Sequence, residues 1–339
     1  MRLLNSVCAA AAVGFLVGGC AGASASTHSD APVSRPAATR SARPPTSEVT
    51  TRLLTITSAL APFRLSSAVS RPIVYPSGGG LLIVGGLTAA DRTTQAILRV
   101  DLSGGTVQPA GRLPVPVHDA GGAMVAGRDL LFGGGSTAVT SAVQDVTPGT
   151  PPRVVSHLPQ PRADLVAISA GNTAYILGGY DGAQGSSEIL RTRDGRTFVV
   201  VGALPVSVRY PAVALSAGSI WLFGGEHAGK QVGDVQRFDL ATGHASVAGQ
   251  LPRPLAHAGA FTLGGAIFLA GGRTGDTATD SVMLLDPATV TFAPAGHLPA
   301  ARSDFGVAVE AGVAYLVGGE DPRPTDTVIE IRVRAGGTP

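Results

Sequence analysis

The chain has 339 residues, with 46 Gly, 25 Pro, 44% apolar residues and only 14% charged ones. A net charge of +2 and scattered Arg residues exclude the basic field that nucleic-acid binding needs. Both cysteines, Cys8 and Cys20, fall in the first 20 residues, so the chain beyond position 20 can hold neither a disulfide nor a cysteine-ligated metal. Turn residues in that number, between apolar runs of four to six residues, predict an all-β protein.

In chain order, Arg2 followed by the apolar run Val7 to Val17 reads as a secretory leader over residues 1–19, too short to span a bilayer comfortably. Val17-Gly18-Gly19-Cys20 resembles the bacterial lipobox, in which cleavage before a cysteine exposes it for lipidation. That resemblance implies Cys20 as the lipid anchor and the outer face of the bacterial cell membrane as the location. An ordinary signal peptide, cut after Ala23 or Ala25, stays open as the alternative. Residues 20–50 are Ala, Ser, Thr, Pro and Arg with hardly a large apolar side chain, and predict a disordered tether.

From residue 51 to 334 one unit of about 47 residues recurs, and 335–339 form a short tail. Its first mark is an apolar run ending in Gly-Gly, at Gly85-Gly86, Gly133-Gly134, Gly178-Gly179, Gly224-Gly225, Gly271-Gly272 and Gly318-Gly319. The second is Leu-Pro, at Leu113-Pro114, Leu158-Pro159, Leu204-Pro205, Leu251-Pro252 and Leu298-Pro299, with Leu60-Ala61-Pro62 as an imperfect sixth copy taken in phase with the rest.

One unit predicts four strands: Val166 to Ile168, Ala174 to Leu177, Glu188 to Arg191, and Phe198 to Val201 after an Asp194-Gly195 hairpin turn. Four antiparallel strands of this length make one propeller blade. The Gly-Gly pair ends the second strand, where neighbouring backbones crowd and positive φ is needed. The last unit runs out after Thr327 to Val333, its third strand, while Leu53 to Leu60 aligns with the fourth strand and Leu204 of another unit. The expected fold is therefore a six-bladed, all-β propeller whose last blade is closed by the N-terminal strand.

Leu158-Pro159-Gln160-Pro161-Arg162 leading to Tyr175-Ile176-Leu177-Gly178-Gly179, and Leu298 to Arg302 leading to Tyr315 to Gly319, resemble the kelch repeat. The resemblance covers about 280 residues, although the arginine is missing or shifted in four units and the fourth-strand aromatic survives only as Phe198 and Phe292. It implies a kelch-type propeller that binds at its axial face, and it implies structural contacts between blades for Arg162 and Arg302 as one alternative. Kelch-type galactose oxidases use a tyrosine–cysteine copper site, which a chain without cysteine after position 20 lacks. The Asp-box of sialidases is matched only by Thr192 to Phe198, one residue short. Kelch-type mutarotases of sialic acid, also six-bladed, would need an axial carboxylate and an arginine.

Strand directions bring the loop leading into each first strand and the loop after each Gly-Gly to one face of the disc. The lead-in loops carry Arg64, His118 with Asp119, Arg162 with Asp164, Arg209 with Tyr210, His257, and Arg302 with Asp304; the others carry Tyr180 with Asp181, Glu226 with His227, Arg273, and Glu320 with Asp321. The selected ligand-binding candidates are Arg162, Arg302, Arg209, His118, Glu226, Arg273 and Asp181, since guanidinium groups pair with carboxylates and hydroxyls. Glu226 and Glu320 are the carboxylates available for acid–base work. No metal-ligand spacing is present, so neither a metal nor a cofactor is expected. These readings predict a monomeric, lipid-anchored binding module for an envelope protein, a glycan or a small anionic ligand, with an enzyme acting on a sugar or sugar acid as the alternative.

Overall fold

The computed structural model describes residues 54–334. The expected leader, Cys20, tether and tail lie outside the described residues.

The second strand of every unit is a run of apolar residues, and the fold explains why alternation is absent. In Gly80–Val84, Leu81 and Ile83 pack into one core cluster while Leu82 and Val84 pack into another. Ala174 and Ile176 are divided from Tyr175 and Leu177 in the same way. Successive side chains of a strand point to opposite faces, so a strand apolar on both must lie between two neighbours. The buried apolar residues accordingly fall into six clusters, each between adjacent blades.

Each blade is a four-stranded antiparallel sheet. Blade 1 comprises Ile73–Pro76, Gly80–Val84, Ala96–Asp101 and Thr106–Arg112; blade 3 comprises Ala163–Ala170, Thr173–Tyr180, Glu188–Thr192 and Val199–Ala203. Blades 2, 4 and 5 begin with Gly121–Val125, Ala212–Ser216 and Gly259–Leu263 and repeat the same order. The hairpin at Asp194 forms as expected: Asp194 Oδ1 accepts from the amides of Arg196 and Thr197 at 2.8 and 2.7 Å, and Gly195 has φ +64°. Among the described residues no helix is long and apolar enough to cross a membrane.

Blade 6 takes Gly306–Glu310, Val313–Val317 and Thr325–Arg334 from the C-terminal end and its outer strand from Thr55–Ser70. Thr55 pairs with Arg334 and Leu60 with Ile329, so the ring closes as expected and blade 6 gains its fourth strand. The phase of the closing strand differs from the expectation. After a register shift between Leu60 and Arg64, Arg64 pairs with Thr327, as His297 pairs with Ser281 in blade 5. Leu65 therefore takes the place of Leu298, and it is buried while Leu60 is half exposed. Leu65 lies 48 residues before Leu113, the interval that also separates Gly85 from Gly133. Arg64 accordingly sits on the outer strand beside Asp326, not in a lead-in loop.

The Gly-Gly pairs join the blades. Both glycines of all six pairs have positive φ. The second glycine's amide donates to a lead-in carbonyl of the following blade: Gly86 to Val117, Gly134 to Arg162, Gly179 to Val208, Gly225 to Leu255, Gly272 to Arg302 and Gly319 to Val69, all at 2.8–2.9 Å. A Cβ on the first glycine would strike that same carbonyl.

Candidate functional site

Two residues beyond each of those carbonyls, and six beyond each buried Leu, the chain turns through a left-handed residue at the axis. These are Arg71, Asp119, Asp164, Tyr210, His257 and Asp304, with φ between +52° and +59°. Five of the six links around this ring are backbone hydrogen bonds: Asp164 N to Asp119 O, Tyr210 N to Asp164 O, His257 N to Tyr210 O, Asp304 N to His257 O, and Arg71 N to Asp304 O. Outside Gly this conformation is best tolerated by Asn, Asp and His, which accounts for four of the six, and the interblade bonds hold it.

All six side chains line a half-open axial cavity of about 150 Å³. A second tier comes from the residues just after Gly-Gly, where Glu226 bridges to Arg209, Arg273 to Ala256 and Glu320 to Ser303. The two tiers form one charge network. Arg71 donates to Asp119 at 3.0 Å and lies 3.2 Å from Asp304. Arg209 holds Asp164 at 2.6 Å, and Arg273 contacts Asp304 and, at 3.1 Å, Glu320. His257 is stacked on Tyr210 with ring centroids 4.2 Å apart; its Nδ1 meets Asp304 at 2.6 Å and its Nε2 meets Glu226 at 3.3 Å. Arg209 lies over the rings of Tyr180 and Tyr210. The Nε atoms of Arg71 and Arg273 are buried with no hydrogen-bond partner among the described residues.

These environments separate the carboxyls. Burial pushes Asp119 up to about 7, with Asp164 and Asp304 adding to the effect and Arg71 opposing it. Burial also raises Glu320, reinforced by Asp304. For Asp304 burial is outweighed by the hydrogen bond and charge of His257 and by Arg71 and Arg273, which hold it well below the usual carboxylate range. His257 hydrogen-bonds to Glu226 and lowers it. His257 itself is raised, because its bonds to Asp304 and Glu226 exceed the cost of burial. His118, beside Thr93 at 2.9 Å, is lowered by burial and by Arg71.

Of the expected ligand-binding residues, Arg209, Glu226 and Arg273 join this network with Glu320, and His118 borders it. Arg162 and Arg302 do not line the cavity. Both are buried, and they donate to backbone carbonyls: Arg162 to Glu188 at 3.1 Å and Arg302 to Gly318 at 2.8 Å. The equivalent positions in the other blades are Val69, Val117, Val208 and Leu255, all buried, so this is a core position in every blade. Asp181 lies outside the cavity, half-buried, and caps its own turn through the amides of Ala183 and Gln184. Arg71 is hidden in the sequence because Leu60-Ala61-Pro62 is out of phase with the other Leu-Pro marks. Asp119, Asp164, Tyr210, His257 and Asp304 stand among the loop residues, but a preference for guanidinium groups does not single them out. The signal that finds all six is the fixed offset from the buried Leu.

No protein-family model matches the chain, and no curated protein matches it. Among solved structures it is similar to one described as "Structure of YjhT", at a TM-score of 0.69 and 16% identity, covering 80% of this chain and 99% of that one. At that identity the likeness shows the shared propeller fold.

Proposed function

We propose that this chain is an extracytoplasmic binding protein whose axial ring takes a small polyhydroxylated molecule. The observation that carries the reading is the mixture of donors and acceptors around the ring, with Arg71, Tyr210 and His257 set among Asp119, Asp164 and Asp304, in one half-enclosed cavity. Hydroxyl groups both donate and accept, so such a rim matches a sugar edge. Arg71, Arg209 and Arg273 already pair with Asp119, Asp164 and Asp304, so charge at the ring is close to balanced and a bare anion meets no free guanidinium pair. A thermal-shift screen of monosaccharides and sugar acids tests this. A stabilising ligand lost in Asp304→Asn supports the reading; hits unaffected by Asp304→Asn and Tyr210→Ala, or only protein partners from envelope extract, refute it.

A second reading, proton transfer on a bound sugar or sugar acid, is favoured by the separated carboxyls. Asp119 near 7 and the raised Glu320 face Asp304 and Glu226, which are held low. Such pairs supply an acid and a base at one site. Anomerisation followed by NMR, lost in Asp119→Asn or Glu320→Gln while binding persists, distinguishes a catalyst from a binder.

The leader and Cys20 support export and lipid anchoring as part of the same proposal. Palmitate labelling that disappears in Cys20→Ala is the expected result; labelling that survives it is not compatible with the anchor.

A further inference from the structure

Below the polar ring the axis changes character. A second cavity of about 520 Å³ continues along the innermost strands, and it shares Val166, Pro211, Ala258 and Phe305 with the ring cavity above. Its wall carries no charged side chain and includes Met124, Ile168, Val213, Leu215, Phe261 and Val309. Its two hydroxyl side chains are already engaged: Ser169 Oγ bonds to the backbone of Met124 at 2.8 and 3.0 Å, and Thr262 Oγ donates to Leu215 O at 2.7 Å. The shaft therefore offers a ligand apolar contact and no side-chain hydrogen bond.

We propose that the axial site recognises an amphiphile, a molecule with a polar head at the Arg71–Asp304 ring and a hydrocarbon segment running down the shaft. This rests on the polar reading of the ring and adds the second half of the ligand. The occupant follows from continuity. The two cavities meet at four shared residues, so a head seated among Asp119, His257 and Asp304 directs its substituent along the axis. Water against such a wall is unfavourable, and apolar surface displaces it. A chain lying in the shaft gains with each buried methylene, whereas a purely polar molecule of the same length leaves its hydroxyls facing Val213 and Leu215 without partners.

The test uses n-alkyl glucosides from methyl to octyl and the matching n-alkyl carboxylates, below their critical micelle concentrations, titrated calorimetrically against the exported protein. The expected result is affinity rising roughly two- to fourfold per added methylene in at least one series. Met124→Asp, at an exposed wall position, and Val213→Asp should each flatten that rise while leaving the shortest member unchanged. Absence of chain-length dependence in both series, including absence of any binding, overturns the inference. So does a rise that survives both substitutions. Short sugars that still bind and are lost in Asp304→Asn would then leave the polar reading standing alone.

Discussion

His257 Nδ1 lies 2.6 Å from Asp304 Oδ1, and the two residues occupy the same left-handed position in adjacent blades. The packing of blade 5 against blade 6 thus places an imidazole against a carboxylate across a blade boundary. His257 is raised above its ordinary 6.5, so the pair's contribution is complete below that pH and is lost as pH rises through the raised value. Asp304 is held low, so its share is present above pH 3.8 and is lost only as acid reaches the depressed value. His257→Asn should reduce the loss of stability that the parent protein shows above about pH 6.5, leaving only the part that ends near pH 7 with Asp119. Urea unfolding at pH 6 and 8.5 measures it, and equal pH dependence in both proteins contradicts the assignment.

Asp119 acts in a lower window. Its folded value of about 7 exceeds its ordinary 3.8, so the folded state holds a proton that the unfolded chain has released, and stability declines as pH rises between those values. Asp119→Asn should flatten that decline and be more stable than the parent at pH 7.5, on the order of 1–3 kcal/mol. Lower stability at pH 7.5 would show that the charge pair with Arg71 outweighs burial.

Gly224 and Gly218 both have positive φ in blade 4, but only Gly224 faces a backbone carbonyl, that of Leu255. Gly218→Ala should cost about 1 kcal/mol for its conformation alone. Gly224→Ala should cost more than about 3 kcal/mol or prevent folding, because blades 4 and 5 must separate. Comparable melting temperatures for the two variants would count against the interblade role.

Arg302 occupies a position that is Val or Leu in four blades. Replacing a buried charge with an apolar side chain is often neutral, so Arg302→Leu should stay within about 1–2 kcal/mol of the parent. Affinity for any axial ligand should not change. A tenfold loss of affinity in the folded variant would return Arg302 to the site.

The strand Thr55–Leu60 pairs with Ile329–Arg334 and completes blade 6. Its deletion should expose the edge of Thr325–Arg334 and abolish cooperative thermal unfolding, as read by calorimetry. An unchanged melt would mean the ring does not depend on this closure.

Much of the architecture was legible because it is written six times. Apolar runs such as Leu81 to Val84 and the recurring Gly-Gly report local needs, two buried faces and two left-handed residues, that any copy reveals. The closing strand was legible in kind but not in phase, since the register shift between Leu60 and Arg64 follows from pairing with residues some 260 positions away. The site was less legible. An arginine in a lead-in loop reads the same at Arg162 and at Arg209, yet one position's difference along the chain sends the first into the core and the second over Tyr180 and Tyr210.

The sequence by itself determined the blade count, the four-stranded unit, the ring closure from the N-terminal side and the absence of cysteine from the propeller. These depend on periodicity and local backbone chemistry, which need no distant partner. Only the tertiary structure decided that Arg71, Asp119, Asp164, Tyr210, His257 and Asp304 share one ring. Each stands alone in its own unit, and they become a site because interblade hydrogen bonds turn six separate loops inward onto one axis.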